Sequence, residues 1–406
     1  MSPKTTKPTK SRLRWLVFLL VSLGIFLIIT FNFLLLNAGN APREVPIPPV
    51  TTSIPQRILV PGAEDVGLEP AKPGFYANPN YVTTTVFYAT DRNVVSLRKT
   101  VDALYGGEAA ALTYGTCSVS IPREHRMGEL ESPSVWKMEW KSQPEKHVTL
   151  LSTTIMEASD FHNSLRERIK RSPRENAFLF VHGYNVTFVD AARRTAQMAY
   201  DLGFQGAPIF YSWPSQGQVA AYTIDERNIE WSEANIRKFI DDVLEKSDVQ
   251  NVYLIAHSMG TRGLARSVAS LVKDKPRYRA RIRELILAAP DIDADVFRRD
   301  IMPVFASAAL PVTLYASSKD NALIASKRVH GYPRAGDSGI NLAVARGLET
   351  VDASALDTSL LGHSYYGESS VIGDMYRLTQ LGKRASVRDG LKAVRTPNGT
   401  YWRLIP

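Results

Sequence analysis

The chain has a single cysteine, Cys117, among 406 residues. An intrachain disulfide is therefore excluded, and so is a zinc site built on cysteine thiolates. Cysteine pairing says nothing about the redox compartment. A strong excess of positive charge over the folded part is also lacking. The net charge is +9, but Lys4, Lys7, Lys10, Arg12 and Arg14 supply +5 of it before residue 15. The remaining +4 is scattered over 392 residues, which argues against a nucleic-acid partner. There are no internal repeats and no low-complexity tract beyond one proline-rich stretch. What is present is an ordinary globular balance, 44% apolar and 22% charged, enough for a sizeable core.

The one long hydrophobic run is Leu16 to Leu36, broken only by Ser22, Gly24, Thr30 and Asn32. As a helix it would be about 31 Å long, close to the hydrocarbon thickness of a bilayer. The five cations lie on its N-terminal side, which places the N-terminus in the cytoplasm and the bulk of the chain outside it. A cleaved signal peptide is the competing reading. The run is long for that purpose, and the exit from Leu36 to Pro42 has no good small-x-small cleavage site. The expected organisation is a basic cytoplasmic tail (1–14), a single transmembrane anchor (15–37) and a linker (38–75) with eight prolines between Pro42 and Pro73. A folded domain (76–383) and a C-terminal tail (384–406) follow. The expected location is the inner, cytoplasmic membrane, with the folded domain on the periplasmic side.

The folded region opens β-rich, with strands expected over Val82–Ala89, Thr116–Ile121 and Val148–Thr153. Asp91 and Arg92 are candidate functional residues, but Thr90-Asp91-Arg92-Asn93 reads first as a turn carrying a surface ion pair. From residue 176 strands and helices alternate. Ala177–Val181, Pro208–Trp213, Val252–Ala256, Leu285–Ala289, Val312–Ala316 and Leu348–Asp352 are strands, with helical faces between them. Alternation of this kind gives a mostly parallel sheet with helices on both faces. Ligands then lie at the carboxyl ends of the strands. The helix-forming stretch 218–247 is a candidate cap over the site.

Ser258 stands just after a strand, in Ala256-His257-Ser258-Met259-Gly260. This is the nucleophile-elbow pattern G-x-S-x-G with Ala for the first Gly. Small residues two positions either side permit a tight strand-to-helix turn. The turn lifts the hydroxyl above the sheet and puts the Met259 N–H beside it, at a helix N-terminus. The plainer alternative is an N-cap serine. Strand 177–181 ends in His182-Gly183-Tyr184-Asn185, a loop suited to a second oxyanion donor. The Tyr184 N–H is the first choice and Asn185 the second, while His182 reads as structural. Of the seven histidines, His330 and His363 follow Ser258 beyond its immediate neighbour. His363, in Leu361-Gly362-His363-Ser364, follows the last strand, where the base belongs. The acid is Asp320, just past strand 312–316, with Asp291 as the alternative from the preceding loop.

With these residues placed, the chain resembles an uncharacterised bacterial family of esterase/lipase-like α/β-hydrolases. The shared features are Phe87–Arg92, Val181–Asn185, Tyr211–Ser215, Ile255–Gly260, Ala289–Asp291, Ser318–Asp320 and Gly362–Tyr366, in order from about residue 81 to 380. The resemblance implies the α/β-hydrolase fold and a Ser258, Asp320, His363 triad. It implies little about substrate. Three functions stay open. One is hydrolysis of carboxylic esters or thioesters on a small-molecule or lipid-like acyl substrate, a scheme that needs no metal or other cofactor. Another is acyl transfer by the same residues. The third is a non-catalytic, membrane-tethered binding or scaffold role. Oligomeric state is not readable.

The membrane reading has a direct test. The full-length protein is expected to fractionate with the inner membrane and resist carbonate extraction, while a chain starting near Gly74 is expected to be soluble. Recovery of a mature N-terminus near residue 38 or 42 would overturn it.

Overall fold

The structure, a computed structural model, describes residues 56–59, 70–72, 74–95, 103–133, 139, 141–355 and 371–405. The 16–36 run lies outside these. Among the described residues no helix is long and apolar enough to cross a membrane.

Fourteen strands form one sheet. They are β1 (Gln56–Leu59), β2 (Pro70–Lys72), β3 (Phe75–Ala77), β4 (Tyr81–Val94), β5 (Tyr105–Pro122), β6 (Thr149–Met156) and β7 (Asn176–Val181). The second half holds β8 (Ala207–Ser212), β9 (Asn251–His257), β10 (Ile282–Ala288), β11 (Val312–Ala316), β12 (Leu348–Asp352), β13 (Leu391–Thr396) and β14 (Gly399–Leu404). The main order is β1-β6-β5-β4-β8-β7-β9-β10-β11-β12-β14-β13. From β4 to β14 every neighbour is parallel, while β1, β6 and β5 form an antiparallel flank.

Helices cover both faces, which forces the central strands to be apolar on both sides. In β7, Ala177, Leu179 and Val181 join the core under α1 (Ala158–Lys170), α3 (Tyr222–Lys246) and α4 (Gly260–Asp274). Phe178 and Phe180, on the opposite side of the pleat, join the core under α2 (Phe188–Asp201) and α6 (Val371–Thr379). The remaining long helix, α5 (Asn321–His330), follows β11.

Four expectations need correction. Thr90–Asn93 is no turn: β4 runs on to Val94, with irregular register against β5 at Thr90/Arg92 and Arg92/Val94. Asp91 and Arg92 are both buried, not a surface ion pair. Within the proline-rich 38–75 segment, β1 pairs with β6 and β2 with β3, so the compact unit begins at Ile54. A soluble truncation should start there, not at Gly74. The 384–406 segment is no tail: β13 and β14 form a hairpin that adds to the sheet beside β12. The 218–247 stretch is largely a layer helix, with Ile229, Ile236, Phe239, Ile240, Val243 and Leu244 in the core. Only its first turn reaches the site.

The loop after β5 is pinned to α2 by one buried histidine. His125 Nδ1 lies 2.9 Å from the Glu131 carboxylate and Nε2 2.8 Å from Asp201 Oδ1. Burial opposes the imidazolium, but the hydrogen bonds and charges of Asp201 and Glu131 outweigh it, and the pKa is raised to about 9. A folded-state value above the unfolded one contributes stability that is complete below about pH 6.5 and lost as pH rises through about 9. Thermal melts should therefore show a decline across that window. His125→Gln should flatten it, and should cost on the order of 2–3 kcal/mol at pH 6. An unchanged pH profile in the variant would refute the assignment.

Candidate active site

In the sheet order β8 and β9 flank β7, so the chain reverses direction at β7, and the crevice between the carboxyl ends of β7 and β9 is the expected ligand position. Ser258 stands there. Its φ is +49°, in the left-handed region where a residue with a side chain is strained. The surroundings hold it in place. Its N–H donates to Ala288 O at 2.9 Å, and its carbonyl accepts from the Thr261 N–H at 3.1 Å and the Thr261 hydroxyl at 2.6 Å. The helix α4 begins two residues later at Gly260, and no side chain caps it. Ser258 is thus not acting as a helix cap, and its Oγ has no hydrogen-bond partner among the described residues.

The small residues of the elbow have a measurable cause. A Cβ on Gly260 would stand 2.1 Å from His182 O, a backbone atom that cannot move aside cheaply. A Cβ on Gly183 would stand 3.0 Å from both Ser258 Cβ and His257 Nδ1. The loop after β7 therefore lies directly against the elbow after β9. Neither the Met259 nor the Tyr184 N–H has an acceptor among the described residues. The Asn185 N–H, the second choice of donor, is already committed to Asp225 Oδ2 at 3.2 Å.

His182 is buried and stacked on Trp213, ring centroids 5.0 Å apart. Its Nε2 is 3.1 Å from Ser212 Oγ and its Nδ1 2.8 Å from Gly183 O. Burial, with the Arg92 charge adding to it, pushes its pKa down to about 3, so it stays neutral. Arg92 is the residue whose importance the sequence hid. From β4 it donates to Ser212 Oγ (2.8 Å), Ser215 O (2.7 Å), Val186 O (2.8 Å) and Gly106 O (3.0 Å). It thereby fixes the loops after β7 and β8 together. Asp225 completes the brace, accepting from Ser215 Oγ and the Gln216 N–H. Asp91 points elsewhere, accepting from Asn235 Nδ2 at 3.1 Å, and burial raises its pKa.

The two candidate acids occupy different environments. Asp320 caps α5, Oδ1 accepting the Leu323 N–H at 3.0 Å. No partner is recorded for Oδ2 among the described residues. Ser258 follows β9 and Asp320 follows β11, and these strands run parallel to β10 between them, so both residues stand at the same end of the sheet. Asp291 is saturated. It accepts from Tyr222 Oη at 2.7 Å, from Ser326 Oγ and from Arg262 Nη2 at 3.1 Å, and Arg334 Nε lies 3.3 Å away. Its own N–H donates to Ser258 O at 3.3 Å. His330 is drawn into the same network through Glu226, at 2.7 Å. His363 lies outside the described residues. Among the described residues no cluster of His, Cys, Asp or Glu is arranged to hold a metal.

Residues 157–384 match the family described as alpha/beta hydrolase of unknown function (DUF900), more than half of the chain. The chain belongs to that family. Two solved structures are similar over part of the chain. One, described as a predicted CIB-like hydrolase from Thermoplasma acidophilum, is 18% identical over 51% of this chain and 85% of its own, TM-score 0.29. The other, alpha/beta hydrolase domain-containing protein 10 from mouse, is 14% identical over 43% and 79%, TM-score 0.24. Similarities of this size carry no information about substrate. A search of curated proteins gives no significant match. The chain is a hydrolase of the α/β superfamily with a mostly parallel sheet, flanked by the antiparallel strands β1, β6 and β5.

The two acids should separate in stability measurements. Asp291→Asn leaves the buried Arg334 without its carboxylate, while Arg262 keeps Glu226 at 2.6 Å, and should cost about 3–5 kcal/mol in urea unfolding. Asp320→Asn keeps a good N-cap and should change stability by less than about 1 kcal/mol. Equal costs would show that the two carboxylates have similar structural roles.

Proposed function

We propose that this hydrolase cleaves carboxylic ester or thioester bonds through Ser258. Ser258 Oγ attacks the acyl carbon as its proton passes to the His363 imidazole. The Met259 and Tyr184 N–H groups receive the oxyanion. The leaving alcohol or thiol takes the proton, and water repeats the sequence to free the acid and the serine. Asp320, through the oxygen not used in capping, accepts the imidazole Nδ1–H and supports the imidazolium. The observation that carries this reading is the left-handed Ser258 (φ +49°), held against a glycine loop, with its hydroxyl and the Met259 and Tyr184 N–H groups without hydrogen-bond partners among the described residues. A purely structural serine has no use for that strain, which weighs against a scaffold role. Transfer of the acyl group to an acceptor other than water uses the same machinery. The chain is proposed to sit on the periplasmic face of the inner membrane, tethered by residues 16–36.

A fluorophosphonate probe should label the wild-type protein at Ser258, and Ser258→Ala should abolish both labelling and turnover of p-nitrophenyl esters. His363→Ala and Asp320→Asn should each lower kcat by about 10²–10⁴-fold. A folded wild-type protein that takes no label and hydrolyses no ester would refute the serine-hydrolase mechanism. Full activity in Asp320→Asn would remove Asp320 alone from it.

A further inference from the structure

Two segments flank the carboxyl ends of the strands on the Ser258 side, and both present large apolar side chains to solvent. The first runs from Val219 into α3 and exposes Val219 (74%), Ile224 (51%) and Trp231 (49%). The second is the end of α5 and the turn after it, exposing Val329 (56%) and Tyr332 (66%). The segments are neighbours. Tyr222 Oη is 2.9 Å from Ser326 Oγ, the Tyr222 and His330 rings are 5.8 Å apart, and Glu226 meets His330 Nε2. Tyr184, from the oxyanion loop, donates its hydroxyl to Val219 O and packs edge-on against Tyr222. Val219 and the side chains at the start of α3 and the end of α5 therefore lie beside the site, and Trp231 continues the exposed face of α3 about two turns further on. The network of Asp291 and Arg262 holds the ends of the two helices in position beneath them.

Singly scattered exposed apolar side chains need no explanation, but several gathered in neighbouring segments beside a site are the usual mark of a contact surface. On α3, Ile224, Arg227 and Trp231 are spaced i, i+3, i+7, so they share one exposed face. Arg227 is exposed and has no carboxylate partner among the described residues. Aliphatic groups beside Trp, Tyr and a free cation match the boundary between acyl chains and phosphate headgroups. A bilayer is also at hand on the proposed anchoring. The apolar run ends at Leu36 and the compact unit begins at Ile54, so the intervening 37–53 segment spans at most about 60 Å.

We propose that this rim lies on the membrane surface. The site mouth then opens toward the lipid headgroups, and the acyl substrate is drawn from the bilayer. The substrate part of this inference rests on the hydrolase reading, whereas the surface contact does not.

The test uses residues 54–406, which lack the anchor, in flotation with phosphatidylcholine and phosphatidylcholine/phosphatidylglycerol liposomes. The wild-type domain should float with one or both. Combined Val219→Ser, Ile224→Ser, Val329→Ser and Tyr332→Ser should cut the bound fraction at least tenfold while hydrolysis of a short, water-soluble ester is unchanged. Single Ile224→Glu and Tyr332→Glu variants, each with a wild-type melting temperature, repeat the test with little risk to folding. Ser258→Ala should float like wild type, which separates membrane contact from catalysis. A wild-type domain that floats with neither liposome, or rim variants that float equally well, would overturn the proposal. So would a stable dimer dissolved by the same substitutions, because a second copy would then be the occupant.

Discussion

The approach of two backbones at the ends of β7 and β9 governs the rest of the site. His182 O fills the space that a side chain at 260 would need, and Gly183 lies against Ser258. Only with these glycines can the two strand ends come close enough for the loop after one to face the serine after the other. Trp213 Nε1 donates to the same His182 carbonyl at 2.7 Å, so the peptide pressing on Gly260 is also held from the β8 side. Ser258 is kept in its unfavourable backbone conformation by contacts on every side, and strain of this kind persists only where the surroundings over-determine it. Distance between main chains is the controlling variable, and side-chain chemistry is laid over it.

Around that contact lie two polar braces with different duties. Arg92 and Asp225 tie the loops after β7 and β8, and so shape the surface that faces Ser258. Asp291 and Arg262 tie the start of α3 and the body of α5 to the helix that follows Ser258. Buried ion networks of this sort add little net stability but fix geometry, because leaving one member unpaired is costly. The division explains why Asp291, close to Ser258 in space, is a poor source of the proposed triad's acid: its oxygens are fully used. Asp320 has only a helix cap to serve.

The local signals were readable in the sequence. Ala177–Val181 and Val252–Ala256 are continuous apolar runs because both faces are covered, and Ser258 between Ala256 and Gly260 marks the tight turn by composition alone. What depended on distant partners was not readable. Arg92 and Asp91 are charged residues in a Thr-Asp-Arg-Asn string, a typical turn composition. Their burial is decided by Ser212 and Ser215, about 120 positions away, and by Asn235 on α3. β1 and β2 lie among prolines that disfavour interior strands but are tolerated at edges, where half the backbone groups need no partner. The 391–404 hairpin is polar enough to pass for a tail because it closes the sheet's edge, and its outer face stays wet. The 218–247 stretch was legible as a helix, but its role was not, since periodicity shows that a face is buried and not what buries it.

The hairpin has a consequence for how the protein is made. β14 (Gly399–Leu404) pairs with β12 (Leu348–Asp352) from well downstream in the chain. During synthesis, and during any passage of the chain across a membrane, the outer edge of β12 therefore stays open until β14 has emerged. The rest of the sheet can assemble before that, but with an exposed edge capable of pairing with another nascent chain. Completion of this side of the sheet thus waits on β14. A chain cut before Gly399 would keep the central sheet but leave β12 as an unprotected edge.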